Sequence, residues 1–82
     1  MHMINEHDLL AAVGYKLEVW KIGTSINVMY KDSEMKDGIM LRGVFGRGSS
    51  FRDAINDYYR QIKGKTLVFN AMSDNRYEVC VI

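Results

Sequence analysis

With 82 residues the chain has room for one domain, residues 1–82, and not for a separate catalytic domain; a chain of this size buries only about 60–65% of its unfolded surface. A hydrophobic share of 48% with 26% charged residues excludes a disordered chain, and a net charge of +1 excludes a strongly basic nucleic-acid wrapper. The one cysteine, Cys80, has no internal disulfide partner, no secretory leader opens the chain, and no apolar run nears the ~20 residues that cross a bilayer. A reducing, cytoplasmic setting with no membrane partner is the expectation.

In chain order, residues 5–13 read as a short first helix. Asn5 caps it, Glu6 and Asp8 suit its positive end, and Gly14 stops it. Residues 15–22 read as a strand in which Leu17 and Val19 alternate with charged neighbours. Gly23-Thr24 turns the chain into a second strand, 25–31, with Ile26, Val28 and Tyr30 on one face and Asn27 and Met29 on the other. The polar run 32–38 reads as a loop or wide turn, and 39–44 as a third strand ended by Gly43, Gly46 and Gly48.

Residues 50–63 carry the one long helical period. Phe51, Ala54, Ile55, Tyr58 and Ile62 recur at steps of three and four, Ser50 is the N-cap and Gly64 the stop. A short strand at 66–69, a turn at 73–75 and a final strand at 77–82 complete the order α-β-β-β-α-β-β. The expected fold is α+β, a small antiparallel sheet packed on one main helix.

Three features bear on function. The run Gly46-Arg47-Gly48-Ser49-Ser50 leads into a helix N-terminus, where free N–H groups favour an anion, but it lacks the endings of a phosphate-binding or dinucleotide loop. All five arginines (Arg42, Arg47, Arg52, Arg60 and Arg76) lie after residue 38, where basic side chains outnumber acidic ones, and arginine is the better bidentate partner for phosphate or carboxylate. Trp20 falls out of phase with Leu17 and Val19, so with Met29 and Met40 it forms a docking surface if the second sheet face is open, while Tyr59 flanks the helix's buried stripe. The candidate binding residues are therefore Trp20, Arg47, Gly48, Arg52, Tyr59 and Arg60.

Catalytic and metal readings find less. His2, His7 and Cys80 have no ligand spacing, Asp53 and Asp57 suit a solvated helix face, and no nucleophile has a base beside it. No catalytic residue, metal or cofactor is expected.

The segment from Gly46 to Ala54, GRGSSFRDA, resembles the strand-to-helix entry of HicB-type antitoxins, and the preceding hairpin and third strand follow that family's order over about residues 16–69. The α-β-β-β-α order with this glycine-rich entry is also similar to double-stranded-RNA-binding domains, although the lysine cluster that opens their last helix has no counterpart here. The tail IKGKTLVFNAMSDNR, together with the chain's size, resembles small accessory proteins of phages and prophages. These resemblances and the aromatic and methionine content imply a non-enzymatic protein-binding module, of the phage-accessory type acting on a host protein or self-associating. A nucleic-acid-binding domain or HicB-like antitoxin is the alternative.

Overall fold

The computed structural model describes residues 2–82; Met1 and the side chain of His2 lie outside it. In chain order the elements are β1 (His2–Ile4), α1 (Glu6–Ala11), β2 (Leu17–Ile22), β3 (Ser25–Tyr30), β4 (Ser33–Asp37), β5 (Met40–Arg42), β6 (Gly46–Gly48), α2 (Phe51–Ile62), β7 (Thr66–Phe69) and β8 (Tyr77–Val81). The fold is α+β.

Both helices start where their caps place them. In α1 the Asn5 side chain accepts from the Asp8 N–H at 3.1 Å and the Asp8 carboxylate accepts from the Asn5 N–H at 2.8 Å, a reciprocal capping box. Ser50 caps α2 by accepting from the Asp53 N–H at 3.1 Å. Gly64 then takes a left-handed φ of +77°, and the helix cannot continue. The stripe Ala54, Ile55, Tyr58 and Ile62 is buried, with Phe51 half-buried beside it.

The single sheet expected from the sequence is two sheets. The large one has the order β1-β8-β7-β4-β5 and is antiparallel except for the parallel pair β1–β8; the small one has the order β2-β3-β6. Three strands account for the difference. β4 occupies the run read as a loop: Ser33 and Met35 are buried while Glu34 and Lys36 between and beyond them are half-buried on the other face, a period of two written almost wholly in polar residues that ends at exposed Asp37. β6 is Gly-Arg-Gly, residues with little strand preference, held in place by pairing with β3. β1 is only three residues long and is fixed by β8, with the Ile82 N–H bonded to the Ile4 carbonyl at 2.8 Å.

One apolar cluster joins both sheets and both helices. Leu9 and Ala12 come from α1 and its C-cap, Leu17, Val28 and Tyr30 from the small sheet, Met35, Leu67, Phe69, Val79 and Val81 from the large sheet, and the buried stripe from α2. Tyr58 links the sheet layers through hydrogen bonding as well as packing, because its hydroxyl accepts from the Tyr30 N–H at 3.1 Å.

Candidate functional site

The geometry of the site begins with two glycines. Gly46 and Gly48 pair with Val28 and Ile26 on β3 and lie directly beneath α2. A Cβ at Gly46 would fall 2.3 Å from the Ala54 carbonyl oxygen and 2.4 Å from Tyr58 Cβ, and one at Gly48 would fall 2.5 Å from Asp53 Cβ. Only glycine lets α2 double back over the strand that leads into it. Gly48, expected to line an anion-binding turn, is instead a strand residue whose missing side chain is explained by packing.

α2 also ties down this strand with its own side chains. Asp57 Oδ2 accepts from the Arg47 backbone N–H at 2.9 Å and from Gln61 Nε2 at 3.1 Å, Asp57 Oδ1 accepts from Arg60 Nη2 at 3.1 Å, and Gln61 Nε2 donates to the Phe45 carbonyl at 2.8 Å. Backbone groups that an edge strand would leave open are thereby occupied. Burial pushes the Asp57 carboxyl up, but the hydrogen bonds from Arg47, Arg60 and Gln61 outweigh it and hold the group below its ordinary value. A carboxyl lowered on folding contributes stability above its unfolded pKa, and that contribution is lost as pH falls through the folded value. Asp57→Asn is therefore expected to lower stability at neutral pH by about 1–3 kcal/mol. It should also flatten the acid limb of the stability curve below about pH 4, the ordinary aspartate range. Urea melts across pH 2–7 check both, and parallel curves for the two proteins would rule out Asp57 as the titrating group.

With α2 on one face of the small sheet, alternation sends Phe45 and Arg47 toward the other. There Arg47 stands in register with Asn27, and Asn27 with Trp20, giving a row across all three strands. Trp20 is half-buried, and its ring meets that of Phe45 with centroids 5.8 Å apart and planes tilted by 51°. Asn27 has no exposed surface. Its amide donates at 3.4 Å to the carbonyls of Trp20 and Ser25, while Oδ1 is buried with no hydrogen-bond partner among the described residues. Met29 is half-buried on the same side, Phe45 is 43% exposed and Ile22 58%.

The six candidates do not form one patch. Trp20 and Arg47 share this sheet face, and Arg60 reaches its edge through Asp57. Arg52 is exposed on the first turn of α2, at the far end of the helix from Tyr59. Tyr59 is anchored to the C-terminal segment, its hydroxyl donating to the Ile82 carbonyl, with Lys63 Nζ 5.8 Å from its ring centroid. At the α2 N-terminus Ser49 Oγ donates to Asp53 Oδ2 at 3.2 Å, so the helix end already holds a carboxylate of its own. Met40, grouped with Trp20 from the sequence, lies on β5 in the other sheet. Phe45 and Asn27 are the participants not singled out from the sequence. Alternation alone puts Asn27 on this face, and Phe45 stands two residues before Arg47, the spacing that shares a strand face.

No cluster of three or more His, Cys, Asp or Glu residues able to hold a metal occurs among the described residues, and no described helix is long and apolar enough to cross a membrane. Comparison with protein-family models, curated proteins and solved structures finds no match to this chain.

Proposed function

We propose that the protein is a non-enzymatic protein-binding module that docks its partner on the Trp20–Phe45 face of the small sheet. The observation that carries this reading is the pair of aromatic rings set over a buried, unpartnered Asn27 carbonyl on the sheet face turned away from α2. Aromatic anchors beside a desolvated polar group are the composition of an interface centre rather than of an ordinary surface. β2 adds a second element: Leu17 bridges Val13 and bonds the Ala12 carbonyl, but beyond it the outer edge of β2, residues 18–22, pairs with no other strand among the described residues. Glu18 and Lys21 on that strand disfavour indiscriminate strand pairing.

The arginines offer less to a polyanion than their number suggests. Arg42 is bound to Asp37 at 3.0 Å, Arg60 to Asp57 at 3.1 Å and Arg76 to Glu78 at 3.5 Å, leaving Arg47 and Arg52 outside ion pairs among the described residues. A cytoplasmic setting and a phage-type accessory role acting on a host protein complete the proposal; both rest on the sequence.

Capture from a nuclease-treated lysate, repeated with Trp20→Ala, tests this reading. A protein partner that survives nuclease and binds about 30-fold or more weakly to Trp20→Ala is expected, the loss typical of a central aromatic anchor. Binding that disappears with nuclease, falls steeply between low and physiological salt and requires Arg47 and Arg52 would instead establish nucleic-acid recognition.

A further inference from the structure

A cleft of about 800 Å³ lies between α1 with its following turn and residues of β1, β3, β7 and β8. That volume falls within the range of small-molecule sites. Its walls are aromatic and fixed. Phe69 and Tyr77 stack with centroids 4.9 Å apart and planes within 5°, and Tyr30 meets Phe69 edge-on at 5.5 Å and 73°. Tyr30, Phe69, Ala12 and Val79 form the buried floor, while Tyr15 and Met3 stand exposed at the rim.

The polar groups of this cleft are few, and each keeps hydrogen-bonding capacity that the fold does not use. Tyr30 is only 4% exposed; its hydroxyl makes no hydrogen bond among the described residues and, not being among the fully enclosed polar atoms, opens into the cleft. A ligand entering the cleft therefore meets a hydroxyl free to bond to it. Burial, reinforced by Tyr58, Asp8 and Tyr77, pushes the Tyr30 phenol up to about 12, so it remains neutral and able to donate or accept. Asp8 and Lys16 are the two charged residues lining the cleft. Asp8 Oδ2 is taken by the Asn5 N–H, while Oδ1 is in no hydrogen bond or ion pair among the described residues. Lys16 is in no ion pair among the described residues and lies 5.8 Å from the Tyr15 ring centroid.

We infer that this cleft binds a small zwitterion with a flat apolar body, the chemical class of the aromatic α-amino acids. The aromatic walls take the body, Asp8 and the Tyr30 hydroxyl take the ammonium with the tyrosine faces beside it, and Lys16 takes the carboxylate. A ligand carrying one charge would leave the opposite group of the cleft unmatched, and a purely apolar one would leave both.

Isothermal titration and amide chemical-shift mapping on the full chain test the site, with L-phenylalanine and L-tryptophan compared against phenethylamine and 3-phenylpropionate. The amino acids are expected to bind with shifts centred on Tyr30, Phe69 and Tyr77, and each single-charge analogue about tenfold more weakly. Tyr30→Phe is expected to weaken L-phenylalanine by about tenfold with an unchanged melting temperature, because the hydroxyl holds nothing within the fold. Lys16→Gln is expected to weaken L-phenylalanine to the level of phenethylamine and leave phenethylamine unaffected. Absence of binding up to about 10 mM, equal affinity for the single-charge analogues, or full affinity in Tyr30→Phe would each overturn the assignment. A Tyr30→Phe protein that melts several degrees lower would overturn it too, by showing that the hydroxyl is spent on the fold.

Discussion

Gly46→Ala is expected to destabilise the protein by about 3 kcal/mol or more, enough to leave much of it unfolded at 37 °C. The added methyl would meet the Ala54 carbonyl oxygen at 2.3 Å and Tyr58 at both Cβ and backbone N, and two of those three atoms belong to the helix backbone. A flexible side chain could rotate away from such a contact, but a helix backbone must shift as a unit. That shift would break the Asp57 and Gln61 bonds that hold β6. A domain of this size has about 4–12 kcal/mol of total stability, so one methyl group removes a large part of it. Gly43 supplies the control, because a Cβ there meets nothing within 4 Å and its φ is not positive. Gly43→Ala should be neutral or stabilising by about 0.4–1 kcal/mol through loss of unfolded-chain entropy. Urea melts of the two variants side by side check the prediction, and equal stability would show that α2 does not press on β6.

Tyr58→Ala should cost about 3–5 kcal/mol, and Tyr58→Phe about 1–3 kcal/mol. The two substitutions separate what the residue contributes. Its ring is fully buried and lies 6.2 Å from that of Tyr30, so truncation leaves a cavity where both sheets meet the helix. Its hydroxyl accepts the Tyr30 N–H, and removing it alone strands that donor in the interior. Thermal melts of both variants measure the split. A phenylalanine variant as stable as the parent would mean that the Tyr30 N–H finds another acceptor.

The parts of the fold visible in the sequence are those where local chemistry and burial agree. In α2 the apolar period, the Ser50 cap and the Gly64 stop all mark the same segment, and the helix begins and ends within a residue of where they place it. The β2–β3 hairpin follows from Gly23 and the alternation around it, which also puts Trp20 and Asn27 on the face away from Val28. β4 was hidden because one buried serine and one methionine among charged residues do not look like a buried face. β6 was hidden because its residues are chosen for the helix above them rather than for the strand they form. The division into two sheets follows from which distant strands pair, as when β4 pairs with β7 from beyond α2 while β6 joins β3, and period alone does not carry that information. Met40 was grouped with Trp20 for this reason. The sequence places Arg47 in a helix-entry turn and Trp20 on a sheet face; the register through Asn27 that sets them in one row needs β6, and the Asp57 contact that fixes Arg47 spans a chain reversal that the serine pair conceals.

The parallel pairing of β1 with β8 has a mechanical consequence. The pair sets residue 2 beside residue 79 and residue 4 beside residue 81, so the start of one strand and the finish of the other lie at opposite ends of the same ribbon. Tension applied between the two ends of the described chain therefore pulls these strands past each other along their length, and the hydrogen bonds between them bear the load together. An antiparallel pair such as β7–β8, pulled from its open ends, would release its bonds one at a time. The short strand at the front of the chain thus acts as a shear clamp, and the core behind it is not loaded until that clamp gives way.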